Sequence, residues 1–345
     1  MKKHLYTYTK LLLILLILLI IVFFSACSNN PINSTRKSNI NLQVIRPPYL
    51  SIGDSIGIVN ISSRIYFSQE HCDSLIEVIR SWGFHIKLGK HLYDSSGGWF
   101  PVSDKERAAD LQEMIDNPNI RAVIFFRGGY GAVRTLDYLN LMQLRKTPKW
   151  LVGYSDLTTI HNALRNIRVE SIHATMPISF KLNENDESAN SLKEALMGKI
   201  TEYDIVPDMS NQYGEAEGVL VGGNLTLLAT LNGTDIDIDL TSEPTILLIE
   251  DVGENIYSLD RMMQLLKRSG KLKAVKAILF GHMTDISSQD IWDKPLKEML
   301  KEYTKDLDIP VIFNFPAGHS APNMSLYMGR KVKVIVNNAW SKIIF

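Results

Sequence analysis

From Tyr49 onward, short apolar runs alternate with amphipathic stretches, the pattern of strands and helices in a parallel α/β sheet. Ile56 to Val59 is the first predicted strand. Cys72, Leu75, Ile76 and Ile79 recur at helical spacing between Ser68 and Trp82, and Gly83 stands where helices favour a glycine stop. A second strand is expected at His85 to Leu88. Ser103 followed by Glu106 forms a capping box for a helix through Met114, which Asn117-Pro118 ends. Ile120 to Phe126 then reads as a buried strand.

Two turns in this half carry chemistry. The strand at Ile120 runs into Arg127-Gly128-Gly129-Tyr130-Gly131, where glycines permit positive φ and close approach of backbone to a ligand. The spacing is not that of a dinucleotide fingerprint, and no phosphate-binding lysine follows. An oxyanion-binding turn fits better. The apolar run Trp150-Leu151-Val152-Gly153 stops at Tyr154-Ser155-Asp156 and passes straight into a helix, which holds the Ser155 hydroxyl clear of the sheet beside the positive end of that helix. Ser155 is a candidate nucleophile. Both turns leave carboxyl ends of parallel strands, so they should face one ligand site.

The second half repeats the α/β alternation. A strand and helix span Gly218 to Leu231, and a buried strand at Thr245 to Ile249 ends in Glu250-Asp251-Val252-Gly253-Glu254. An amphipathic helix is expected from about Ser258 to Lys267, a strand at Ala277 to Phe280, a helix from about Ile291, and a strand at Pro310 to Phe315 that runs into Gly318-His319. Met328 to Phe345 reads as two paired strands. The polar run beginning at Asn183 marks the domain break. The expected division is an N-terminal α/β domain over 46–182, a linking segment over 183–216 and a C-terminal α/β domain over 217–345.

The first residues stand apart from this pattern. Lys2, Lys3 and Lys10 precede an unbroken apolar run from Leu11 to Phe24, shorter than the roughly 20 residues a membrane span needs and ordered like an export signal. It ends in Phe24-Ser25-Ala26-Cys27, which resembles the lipobox of bacterial lipoproteins. Residues 1–26 are therefore expected to be a signal peptide, Cys27 the lipidated first residue of an exported, membrane-anchored and periplasmic protein, and 27–45 a flexible tether.

Composition narrows the partners. Across 345 residues, 37 basic side chains balance 37 acidic ones, and no basic stripe marks a nucleic-acid surface. Loss of residues 1–26 removes three lysines and no acid, leaving a mildly negative body. Cys72 is then the sole unmodified cysteine, so core burial rather than a disulfide must hold the fold. The histidines are scattered, with no metal-binding spacing, so no metal or other cofactor is expected.

Arg127 to Gly131, Gly153-Tyr154-Ser155-Asp156, Gly222-Gly223-Asn224-Leu225, Glu250-Asp251 and Gly318-His319 together resemble, in order and spacing, the LD-carboxypeptidase family of serine peptidases, which also includes the microcin C immunity peptidases. The resemblance implies a Rossmann-like N-terminal domain, a smaller C-terminal α/β domain and an active site in the crevice between them. It also implies a triad of Ser155 as nucleophile, Glu250 as acid and His319 as base. The chemistry is consistent: a serine hydroxyl needs a base to take its proton, and that imidazole needs a carboxylate to fix its tautomer. Asp251 and Glu254 compete with Glu250 for the acid, and His161, His173 and His282 with His319 for the base. The oxyanion donors are the backbone N–H groups of Gly129 and Asp156, while the Asp156 side chain is expected to cap its own helix. Arg127 is open to a substrate carboxylate or a surface ion pair.

The implied activity is release of the terminal D-alanine of a peptidoglycan tetrapeptide, or muropeptide, through an acyl-enzyme. Two alternatives stay open: cleavage of an acyl-sulfamoyl adenylate, and a solute-binding lipoprotein without catalysis. A homodimer is a candidate assembly that the sequence does not fix. His173-Ala174-Thr175-Met176-Pro177 departs from the His-Gly-Pro run of relatives, which touches the expected pocket.

Overall fold

In the computed structural model, residues 42–182 and 185–345 are described, and among them are two sheets within one compact unit. Cys27 and the expected signal peptide lie outside the described residues, as do Asn183 and Glu184 at the expected domain break. The last part of the expected tether is described and held: the Ile45 N–H donates to Arg168 O at 2.8 Å, and Ile45 O accepts from Glu170 N at 2.9 Å.

The first sheet has strands β1 (Ser55–Val59), β2 (His85–Leu88), β3 (Ile120–Phe125), β4 (Trp150–Gly153) and β5 (Ser171–His173) in the order 2-1-3-4-5, all parallel. Helices α1 (Gln69–Ser81) and α2 (Asp104–Asp116) start at Ser68 and Ser103. Each serine side chain accepts an N–H of the first turn, and Glu106 completes the expected capping box. Cys72, Leu75, Ile76 and Ile79 of α1 are buried in one core cluster, as their spacing requires. After β3 comes the short α3 (Ala132–Thr135), and after β4 a single tight turn leads into α4 (Thr158–Asn166). In this strand order the topology reverses between β1 and β3, and ligands of open α/β sheets bind where such a reversal leaves a gap at the carboxyl ends.

Residues 183–216 are more than a connection. Within them α5 (Glu187–Leu196) buries Ala189, Leu192, Ala195 and Leu196 in the core of the first sheet. Next, β6 (Glu202–Ile205) forms the edge of the second sheet. That sheet continues with β7 (Gly214–Asn224), β8 (Thr245–Val252), β9 (Ala277–Thr284) and β10 (Val311–Ile312), which are mutually parallel in the spatial order 7-8-9-10. Between these strands, α6 (Leu225–Thr230) follows β7 and the amphipathic α7 (Ile256–Arg268) follows β8, burying Leu259, Met263 and Leu266.

The tail holds one strand beyond the expected pair. β12 (Lys331–Val336) and β13 (Ser341–Ile344) pair antiparallel, but the preceding β11 (Leu326–Met328) crosses back and adds antiparallel to β5 of the first sheet. A buried ion pair supports the crossing: Arg330 Nη2 lies 2.6 Å from Glu170 Oε2. Arg165 and Arg168 both reach Glu243 and tie the end of α4 to the second sheet. Cys72 sits inside the core, where burial pushes its thiol pKa up and keeps it unreactive.

Candidate active site

Ser155 follows β4 with φ 64°, a left-handed conformation that a non-glycine residue rarely adopts. The turn folds this way because Trp150 to Gly153 are fully buried in the sheet while α4 must start at once on the other side. Such a kink pushes the serine side chain out of the strand's alternation. Strain of this kind, of order 1–3 kcal/mol, is typical of residues whose position serves chemistry.

The glycine-rich turn is packed against it. A Cβ placed on Gly128 would stand 3.2 Å from Ser155 Cβ, and one on Gly129, at φ 116°, would stand 2.1 Å from Ser63 Oγ. Only glycine lets this backbone approach so closely. Asp156 holds the two turns in register. Its Oδ2 accepts from Ser62 Oγ at 2.6 Å and from the Ala132 N–H at 2.8 Å, so its side chain caps the start of α3 across the site. That differs from the expected cap of its own helix. The tight turn between β4 and α4 aims the carboxylate at the neighbouring loop, where it takes the Ser62 hydroxyl and the first N–H of α3. Burial raises the Asp156 pKa against these two hydrogen bonds.

The second sheet supplies an imidazole and a carboxylate. Glu250 lies near the carboxyl end of β8, at an irregularity in its pairing with β9 between Ile249 and Asp251, and is fully buried. His319 lies in the loop after β10. Its Nδ1 is 2.7 Å from Glu250 Oε2 and its Nε2 is 2.9 Å from Ser155 Oγ. With Glu250 ionised, Nδ1–H donates to the carboxylate, which leaves Nε2 to accept the Ser155 proton. The loop can come this close because Gly318, at φ 126°, carries no Cβ; one there would stand 2.9 Å from Glu250 Oε2. Tyr154 packs its ring 4.9 Å from the His319 ring and limits its rotation.

The other candidates are held elsewhere. Asp251 accepts from Asn224 Nδ2, Thr226 Oγ1 and the N–H groups of Thr226 and Val252, at 2.8 to 2.9 Å, which makes it the anchor of α6. Burial nevertheless raises its pKa to about 6. The Glu254 carboxylate meets Thr226 Oγ1 in a long contact of 3.4 Å. His161 is buried, with Nδ1 against Ser171 Oγ and Nε2 against Gly153 O, both at 2.8 Å. His173 is buried with no hydrogen-bond partner on either nitrogen among the described residues, and burial drives its pKa down to about 3. His282 is half-buried and its pKa is likewise lowered by burial. Arg127 makes no ion pair among the described residues; it donates instead to the carbonyls of Gly128 and Arg64.

One junction was not legible in the sequence. The Asn224 N–H donates to Thr158 Oγ1 at 3.0 Å, and a Cβ on Gly223 would stand 2.5 Å from that oxygen. Thus the Gly222-Gly223-Asn224 run seats the second sheet on the first turn of α4, three residues from Ser155. Thr158 has no sequence signal of its own. Its partner run did stand out, but without showing what it touched.

A serine, an imidazole and a buried carboxylate in a hydrogen-bonded line can deprotonate the hydroxyl and stabilise the imidazolium that results. Comparison with known proteins agrees with that chemistry. The pattern of the LD-carboxypeptidase N-terminal domain matches residues 56–174, and that of the LD-carboxypeptidase C-terminal domain matches residues 217–334. A "Probable murein peptide carboxypeptidase" of Bacillus subtilis (strain 168) is 31% identical over 297 residues, which is 83% of this chain and 90% of that protein. The crystal structure of muramoyltetrapeptide carboxypeptidase from Oxalobacter formigenes superimposes with a TM-score of 0.73 at 29% identity, covering 84% of this chain and 97% of that one. MccF in complex with glutamyl sulfamoyl guanosine shares the fold, with a TM-score of 0.76 at 22% identity over 87% of this chain and 98% of that one.

Proposed function

The chain belongs to the LD-carboxypeptidase family, and from that premise we propose that it is a serine peptidase which releases the terminal D-alanine of peptidoglycan tetrapeptides. The observation that carries this reading is the line Ser155 Oγ, His319 Nε2, His319 Nδ1, Glu250 Oε2, with steps of 2.9 and 2.7 Å. Ser155 Oγ attacks the carbonyl carbon of the penultimate residue while its proton passes to His319 Nε2. The negative charge that develops on the carbonyl oxygen is met by the N–H groups of Gly129 and Asp156. His319 then gives its proton to the departing amine, the C–N bond breaks, and D-alanine leaves the acyl-enzyme. Water then attacks the ester carbonyl as its proton passes to His319, the acyl C–Oγ bond breaks to free the tripeptide acid, and His319 returns that proton to Ser155 Oγ. Glu250 accepts the His319 Nδ1–H bond and stabilises the imidazolium.

Residues 1–27 extend the proposal to location. Their charge order, apolar run and small residues before Cys27 support an enzyme anchored by lipid outside the cytoplasm and acting on wall-derived peptides there. Partition of the full-length protein into membranes, lost on Cys27→Ala, is the expected result.

The activity is tested by incubating the protein with a disaccharide tetrapeptide and, in parallel, with an aspartyl sulfamoyl adenosine. Release of D-alanine from the first and no cleavage of the second is expected. Cleavage of the sulfamoyl compound alone would move the assignment to an immunity-type peptidase. Binding of the muropeptide with neither product would make the protein a solute-binding lipoprotein.

A further inference from the structure

Two arginines beside the Ser155 turn lack the counter-charge that their neighbours have. Arg107 and Arg134, one on α2 and one on α3, share Asp104. Arg64 and Arg127 have no carboxylate within ion-pair distance among the described residues. Arg127 Nε donates to Gly128 O at 3.0 Å and Nη1 to Arg64 O at 2.5 Å, which fixes the guanidinium plane but leaves Nη2 with no acceptor among the described residues. Arg64 donates through Nη1 to Gly97 O at 3.2 Å, and its buried Nε has no partner. Both guanidinium groups lie on the Tyr66 ring, with their central carbons 4.8 Å and 5.7 Å from its centroid.

Arg127 is half-buried, and the loss of water lowers its pKa against a smaller opposing pull from the Tyr66 hydroxyl, with no carboxylate contributing. A partly desolvated cation held rigid with a free donor edge is costly unless an anion completes it. Its location says which anion. Arg127 Nη2 is 3.5 Å from the point where a Gly129 Cβ would stand, and Gly129 is the donor assigned to the oxyanion. A peptidase that removes one residue has the free carboxylate of that residue a single residue length, ~3.8 Å between α-carbons, beyond the bond it cuts.

We propose that Arg127 Nη2, with the guanidinium braced by Arg64 and Tyr66, binds the free α-carboxylate of the departing terminal residue and so restricts the enzyme to removing one residue from a free C-terminus. This inference rests on the peptidase reading of Ser155. It makes Arg127 a binding residue whose contribution depends on the substrate's charge. A carboxylate within the stem peptide is the competing ligand, and the test separates the two.

The experiment compares the tetrapeptide acid with its C-terminal amide, using wild type, Arg127→Met and Arg127→Lys. Charge-assisted hydrogen bonds of this kind set the expected preference for acid over amide in wild-type kcat/KM at about 100-fold, expressed chiefly in KM. Arg127→Met brings that ratio to within about threefold of unity, and Arg127→Lys retains part of it. An undiminished ratio in Arg127→Met overturns the proposal. So does an equal fall on both substrates, which places the recognised carboxylate inside the stem peptide. A second readout does not need turnover: D-alanine, but not D-alaninamide, should slow labelling of wild-type Ser155 by a fluorophosphonate, and Arg127→Met should lose that protection. If wild type cleaves neither peptide, the peptidase reading fails by itself, and the protection assay still decides whether Arg127 binds a carboxylate.

Discussion

His319 Nε2 lies 2.9 Å from Ser155 Oγ although the two residues are 164 positions apart and follow strands of different sheets. The pair exists only while the second sheet stays seated on α4. Gly223, Asn224 and Thr158 form that seat, so reactivity at Ser155 and docking of the two sheets are a single property.

Gly223→Ala tests the seat. The new methyl would come within 2.5 Å of Thr158 Oγ1, at a φ of 136° that alanine resists. The variant should lose about 1–3 kcal/mol of stability by thermal unfolding. It should also lose at least tenfold in kcat, because a misplacement of about 1 Å can cost more than that. An unchanged kcat in a destabilised protein would show that the seat does not position His319.

Glu250→Gln keeps the size of the side chain and removes its charge. His319 then loses the acceptor that fixes its tautomer, and kcat should fall by about 10³- to 10⁴-fold, as removal of the acid does in other serine triads. Asp251→Asn disturbs the anchor of α6 and should act mainly on stability. A larger kcat loss from Asp251→Asn than from Glu250→Gln would exchange their roles.

Gly129→Ala bears on the oxyanion site. The added Cβ overlaps Ser63 Oγ and must shift the turn, which should lower kcat by about 10²- to 10³-fold with little change in KM. Steady-state kinetics on the tetrapeptide decide it, with a thermal melt to confirm folding.

His173 predicts an acid limit on stability. Its folded pKa, about 3, lies below the usual histidine value, so the unfolded chain takes up the proton first as pH falls. The stabilisation is fully present above pH 6.5 and is lost progressively down toward pH 3. At pH 5 the loss amounts to about 2 kcal/mol for this one group. His173→Leu should remove that part of the slope between pH 8 and pH 5 in urea unfolding. An unchanged slope would show that the ring is protonated in the folded state.

Much of this architecture could be read from the sequence because local signals and tertiary structure agree. The capping box at Ser103, the apolar period of α1 and the buried strands at Ile120 and Trp150 all form where periodicity and caps place them. β11 was not legible, since three residues carry no period and its pairing with β5 is decided by tertiary contact. α5 was hidden by its polar surroundings, because its small apolar face of alanines and leucines gives a weak signal. At the candidate site, the order of the motifs suggested Ser155, Glu250 and His319. Glu250 is preferred to Asp251 in the sequence because it continues the strand, while the role of Asp251 as the anchor of α6 is visible only in the fold. The tie from Asp156 to Ser62 and Ala132 was likewise invisible, since its partners are brought together only by the fold.

The central claim is that Ser155 forms a covalent acyl intermediate with the stem peptide. The direct measurement is acid-quenched single turnover with the tetrapeptide, followed by digestion and mass spectrometry of the peptide that contains Ser155. The account predicts a transient adduct of the tripeptidyl group on Ser155, formed together with one equivalent of D-alanine and absent in Ser155→Ala, which should release none. D-alanine release at wild-type rate by Ser155→Ala, or an adduct on another residue, would contradict it.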